Sequence, residues 1–281
     1  MKDRKGVALV LVLLMVALLA AMVVEFVHGV QVHAQALKNL HTYRRLRVLS
    51  ATLLKGSSPL LKKIFAQSYT YPGTYELARE LQDVLLTVRL RDENSLFNVN
   101  TLVHPNGTLN EQQYEGFRLL LEALALEPSL ADTVVDWIDP DQVPMPEGNE
   151  EGAKNAPLSS VEELGLFLPQ EAYDTLRSYL TIYGDGLVNI NGASVPVLMS
   201  LGLDEELAQR VLQYRELDPF GSVGELSEVA GLREQALALT DRITVRTSAL
   251  GITVAAQAEG IRVLTECVLE PQGQVLYWRQ L

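Results

Sequence analysis

MKDRKG-VALVLVLLMVALLAAMVV-E, residues 1–25, decides the architecture. Residues 7–24 hold no charge and no proline. As a helix they span about 27 Å, roughly the hydrocarbon thickness of a bilayer. Lys2, Arg4 and Lys5 stand before the run. That bias keeps a short basic stub cytoplasmic and sends the rest of the chain across the membrane. Ala17, Ala20 and Ala21 leave a cleaved secretory signal as an alternative. Helical spacing continues past the apolar run through Phe26, Val30, Leu37, Leu40, Leu46, Leu49 and Leu53, and Gly56-Ser57-Ser58-Pro59 stops it. A helix over 7–55 is about 74 Å long. Its second half therefore has to pack on a globular head to be stable. His28, His33 and His41 lie on it, but their spacing is not the i, i+4 of a helical metal pair, so they read as solvated or packing residues.

The 281 residues carry a net charge of −12. Residues 1–6 are net positive, so the remainder is more acidic still. Such a surface argues against nucleic acid as a partner and is compatible with divalent cations. A single cysteine, Cys267, excludes an intrachain disulfide and is expected to be a buried strand residue.

Residues 57–80 read as irregular to helical. DVLLTVRLR at 83–91 alternates as a strand does, and Asp92-Glu93-Asn94-Ser95 reads as a turn. A helical region follows from Asn110 to Thr240, with helices expected over 111–126, 129–138, 170–183, 194–200, 204–216, 222–229 and 233–239, and a short one starting near Ser159 and Ser160. From Arg242 the period changes. ITVRTS, ITVAAQA, IRVLTECVLE and QVLYWRQL predict an antiparallel meander of three or four strands. The reading is an α+β chain: a long N-terminal transmembrane helix, then an α/β head with an antiparallel sheet, interrupted by a large all-helical insertion. There is also an internal echo. LFNVNTLV at 96–103 resembles LVNINGAS at 187–194, and PLSSVEELGL at 157–166 resembles FGSVGELSEVAGL at 220–232. Chance similarity between helix starts and two related helical halves are both open readings.

No nucleophile elbow, P-loop, HExxH or CxxC is present, and no catalytic residue is expected. Asp136 and Asp139 are three apart, with no base to pair them. The chemically pointed stretch is the loop DPDQVPMPEGNEEGAKNAP, whose Asp139, Asp141, Glu147, Glu150 and Glu151 are candidate ligands of a calcium ion. Their spacing is not that of an EF-hand, and a solvated acidic loop is the plain alternative. Residues 188–232 resemble helix-hairpin-helix modules, which commonly bind DNA. Here the hairpin reads Gly202-Leu203-Asp204-Glu205-Glu206, with three acids where a phosphate would need amides and a cation. A packing module without DNA is the expectation.

A charged leader, a glycine and an apolar helix resemble the type IV prepilin signal, which implies cleavage by prepilin peptidase between Gly6 and Val7. Most pilins carry glutamate at the fifth position after that bond; here it is Leu11. With FNVN, DWIDPDQVPMPEG, PLSSVEEL, VNINGAS and the strand-rich end, in this order, the chain resembles the minor pseudopilin K family of type II secretion systems. The resemblance implies a leader (1–6), a pilin helix (7–55, with 7–24 in the membrane), a pilin-like head (56–97 and 241–281) and a helical insertion (98–240). It further implies no enzymatic activity and no small-molecule substrate. The implied place is the pseudopilus tip with minor pseudopilins I and J, supporting pseudopilus assembly from the inner membrane with the head in the periplasm. Calcium on the acidic loop is implied as well. A type IV pilus minor subunit and an anchored DNA receptor are the alternatives.

Overall fold

The computed structural model describes residues 3–56 and 74–281. Helix α1 runs Asp3–Gly56 and ends at the expected glycine. Its residues 7–24 are fully solvent-facing, and the helix is long and apolar enough to cross a membrane. Burial begins only at Thr42, Leu46, Ser50 and Leu54, one residue per turn on a single face. Ser50 is tolerated in that seam because its hydroxyl donates to the Leu46 carbonyl at 2.9 Å.

That seam lies on a five-stranded antiparallel sheet of order β1-β2-β7-β8-β9. The strands are β1 (Thr74–Leu81), β2 (Val84–Asp92), β7 (Leu250–Ala258), β8 (Ile261–Leu269) and β9 (Val275–Gln280). Leu54 packs with Leu250, Ile252, Val254, Cys267 and Leu269, and Leu46 with Val84, Leu86, Ala256, Ala258 and Val263. Cys267 is the buried strand residue expected, and burial pushes its thiol up to about 12. The meander over β7–β9 is as expected. β1 corrects the irregular reading of 74–80: the strand is exposed along its whole length, so no alternation of buried and exposed positions could mark it. It is held by pairing with β2 across the turn at Gln82-Asp83, where Gln82 takes φ 58°. The rest of the 57–80 stretch falls outside the described residues.

Asp92, the last residue of β2, pairs with Leu250, the first of β7. Everything from 93 to 249 is therefore inserted between two neighbouring strands. The insertion consists of two modules in the same order. In the first, β3 (Phe97–Asn98) leads to α2 (Glu111–Ala123) and α3 (Leu130–Ile138), a 3-10 turn at Val161–Leu166, α4 (Gln170–Leu176) and β4 (Leu180–Thr181). In the second, β5 (Val188–Asn189) leads to α5 (Val195–Met199) and α6 (Glu205–Leu217), a 3-10 turn at Val223–Glu228, α7 (Gln235–Leu239) and β6 (Ile243–Thr244). Each module closes by parallel pairing of its first and last strands. This corrects two expectations. The 170–183 helix stops at Leu176, because Leu180 and Thr181 are buried as the closing strand. ITVRTS does not join the meander, because Ile243-Thr244 close the second module instead.

The FNVN and VNIN echoes are the same device twice. Asn100 accepts from the Leu158 N–H at 2.8 Å and donates to its carbonyl at 2.9 Å. Asn191 does the same to Phe220, at 2.8 and 2.9 Å. Next, Glu163 accepts from the Ser159 N–H and Glu225 from the Gly221 N–H, each just ahead of the 3-10 turn. Each module has its own apolar core, one around Phe117, Leu120 and Leu121, the other around Ile190, Leu198 and Phe220.

The sheet and insertion meet at a buried polar joint. Glu93 accepts from Thr181 Oγ1 at 2.6 Å and from Arg91 at 3.1 and 3.2 Å. A Cβ on Gly251 would overlap that carboxylate, so β7 opens on Leu-Gly. Asp92 accepts from Asn189 Nδ2 at 2.6 Å and from the Asn94 N–H at 3.0 Å. Burial nevertheless raises its pKa to about 6, with the Glu93 charge adding to the effect. A raised native pKa favours the fold below the unfolded value and withdraws that support as pH climbs through about 6. Denaturation midpoints from pH 4 to 7 should therefore fall more steeply for the wild type than for Asp92→Asn. The difference should be about 3 kcal/mol across the window; parallel curves would remove Asp92 as the cause.

Candidate metal centre

Helix α3 reads LADTVVDWI and ends into Asp139, which places Asp132, Asp136 and Asp139 on one face at i, i+4 and i+7. All three are buried. The acidic loop folds back over them. Asp132 accepts from the Tyr114 hydroxyl and, at 2.9 Å, from the Glu147 N–H. Asp136 Oδ1 accepts from the Met145 N–H at 2.9 Å. The Asn155 amide ties the far end, donating to the Asp141 carbonyl at 2.7 Å, while its own N–H reaches the Trp137 carbonyl at 3.0 Å.

These bonds bring carboxylate oxygens of Asp136, Asp139 and Glu150 within 4.8 Å of one another. Five buried oxygens in this region have no hydrogen-bond partner: Asp136 Oδ2, Asp139 Oδ1, both carboxylate oxygens of Glu150, and Asn155 Oδ1. Buried polar atoms are almost always partnered, and carboxylates most of all. Burial, then the charges of Asp141, Glu150 and Asp136, push Asp139 up to about 6. Burial with neighbouring carboxylate charge also raises Asp136 and Glu150. A Cβ on Gly148 would overlap Asp136 Oδ2, so only glycine lets the loop pass this close.

Of the five acids singled out from sequence, Asp139 and Glu150 stand in the group. Asp141 is exposed and accepts from the Val143 N–H at 2.8 Å, acting on the group through its charge. Glu147 and Glu151 are exposed; Glu147 takes part through its backbone N–H, and the Glu151 N–H donates to Asn149 Oδ1. Asp136 and Asn155 were missed. The i, i+3 pair Asp136/Asp139 on an amphipathic helix was the available signal. Three carboxylates without nitrogen or sulfur suit calcium, or magnesium with retained waters, and not zinc or copper.

The hairpin of the second module closes in a different way. Gly202 takes φ 93°, and Asp204 caps α6 by accepting from the Leu207 N–H at 2.8 Å. Glu205 and Glu206 fill the first turn. The amides that would meet a phosphate already face an acid.

Comparison with known proteins divides the chain at the same places. Residues 95–185, the first module, match the profile described as type II secretion system (T2SS), protein K. Residues 185–241, the second, match the helix-hairpin-helix motif. The type II secretion system protein K of Pseudomonas aeruginosa is 30% identical over 161 residues, covering 51% of this chain and 48% of that protein. The crystal structure of the GspK-GspI-GspJ complex from the enterotoxigenic Escherichia coli type 2 secretion system contains a chain that superposes with TM-score 0.71 at 18% identity, over 87% of this chain and 98% of that one. The chain is similar to the type II secretion system protein K family over residues 95–185. The chain spans about half the length of the curated relative it matches, and the structural likeness establishes the α+β fold with its long apolar helix and antiparallel sheet.

Proposed function

We propose that this chain is a minor pseudopilin that occupies the tip of a type II secretion pseudopilus, where it nucleates assembly together with minor pseudopilins I and J. The observation that carries the reading is the two-module insertion between β2 and β7, a body wedged into the middle of a small pilin sheet. A subunit so enlarged obstructs another head from stacking on it. Leu11 supports the same end position, since a subunit with no neighbour beyond it has no use for a carboxylate inside the membrane. The chain is anchored in the inner membrane by residues 7–24, with its basic stub cytoplasmic, its head periplasmic and its leader removed by prepilin peptidase between Gly6 and Val7. The acidic loop binds calcium through Asp136, Asp139 and Glu150, with Asp141 contributing charge; the unpartnered buried oxygens of the three carboxylates support this. DNA binding by the second module is disfavoured by its acid-capped hairpin and by the net charge of −12.

Assembly is tested by mixing the detergent-solubilised chain with purified I and J of the same system and weighing the product by light scattering. A discrete heteromer is expected, with the chain alone remaining unpolymerised. Filaments of the chain by itself would contradict the reading.

A further inference from the structure

The two edges of the sheet are built differently. β1 carries Glu76, Arg79 and Glu80 in eight residues, and two ion pairs lie along it, Arg89 with Glu76 and Arg45 with Asp83, both at 2.7 Å. Charges on an edge strand discourage further pairing. β9, at the opposite edge, reads VLYWRQ and carries one charge, Arg279. Its Val275, Leu276 and Trp278 are 52%, 37% and 42% exposed. A bulge at Leu276, between the Leu269–Val275 and Val268–Tyr277 pairs, interrupts only the start of the strand. Leu264 and Leu281 exchange both backbone hydrogen bonds, at 3.0 and 2.8 Å. Antiparallel alternation then turns the backbone N–H and C=O of Trp278 and Gln280 outward, away from β8.

The surroundings of this edge are cationic. Arg47 of α1 is bound to Gln280, donating to its side-chain oxygen at 2.9 Å and accepting its amide on the backbone at 3.0 Å. Among the described residues neither Arg47 nor Arg279 has a carboxylate at ion-pair distance. An outward-facing backbone row, an exposed tryptophan and two arginines without a carboxylate partner suit an extended, acidic occupant.

We propose that β9 receives a sixth strand: an extended, acidic segment of a partner pseudopilin head, whose carboxylates meet Arg47 and Arg279 and whose apolar residue covers Trp278. The partner's being a pseudopilin rests on the function proposed above. The backbone supplies the attachment, and the flanking side chains select the partner.

The test is hydrogen exchange on the full chain in detergent micelles, alone and with purified minor pseudopilins I and J, with the mass followed in parallel. In the complex the Trp278 and Gln280 amides should exchange at least about tenfold more slowly. Trp278→Asp and, separately, Arg279→Glu should weaken the complex about tenfold or more while leaving the melting temperature of the free chain in place, since both side chains are solvent-facing. A complex that forms with these amides exchanging at their free rate, or with protection confined to α1 as a docked helix would give, overturns the β9 proposal and leaves the assembly reading standing. Absence of any complex by mass overturns both.

Discussion

Calcium should raise the unfolding midpoint of the detergent-solubilised chain, and a chelator should reverse the rise. A ligand that binds only the native state contributes about 2.7 kcal/mol at a hundredfold excess over its dissociation constant. For a domain of this size that is roughly 5–10 °C. The cause is the arrangement of the loop: Asp136, Asp139 and Glu150 are drawn together at the end of α3, and four of their oxygens lack a partner. Asp139→Ala with Glu150→Ala should abolish the response. In chelator the same pair of substitutions should be neutral or stabilising, because it removes buried, mutually repelling carboxylates. Gly148→Ala should also abolish the response, since its methyl group would overlap Asp136 Oδ2. Glu151→Ala, at an exposed residue outside the group, should leave it intact. A wild-type midpoint indifferent to calcium would reduce the stretch to a solvated linker.

Asn191→Ala should be among the most damaging single changes in the head. Asn191 is 4% exposed and holds both backbone groups of Phe220, the fully buried centre of the second core. Truncation leaves a buried N–H and a buried carbonyl without partners, each costing about 1–3 kcal/mol, so the loss should be about 2–5 kcal/mol. Asn100→Ala removes the equivalent clamp on Leu158 but at a half-buried position where water can substitute, and should cost less. Urea denaturation of the two variants measures the difference. A loss below about 1 kcal/mol for Asn191→Ala would mean that the clamp is incidental to the module.

Much of this architecture is legible in the residues. The uncharged run from Val7 sets the anchor and the β-branched runs of the tail set the meander, whereas the apolar spacing through Leu40, Leu46, Leu49 and Leu53 shares only Leu46 with the buried seam of α1, because Thr42 and Ser50 in that seam are polar. Local pattern fails where structure is decided by distant partners. β1 has no buried face to print an alternation on its sequence and owes its form to β2. Thr181 and Ile243 look like helix end and meander strand, yet each closes a module by pairing with a strand well upstream in the chain. The duplication was visible as FNVN and VNIN, but the second asparagine of each only acquires meaning once Leu158 and Phe220 are seen between its amide groups. At the metal centre the loop drew attention through its density of acids. The helix beneath it was the better source of ligands: Asp136 belongs to an amphipathic stripe that reads as a packing face until the loop folds over it.

The tip position is tested most directly by gold-labelling this chain on pseudopili sheared from cells that also express the other pseudopilins. The account predicts a single label at one end of each filament and short or missing filaments when the chain is deleted. Label distributed along the filament shaft would contradict it.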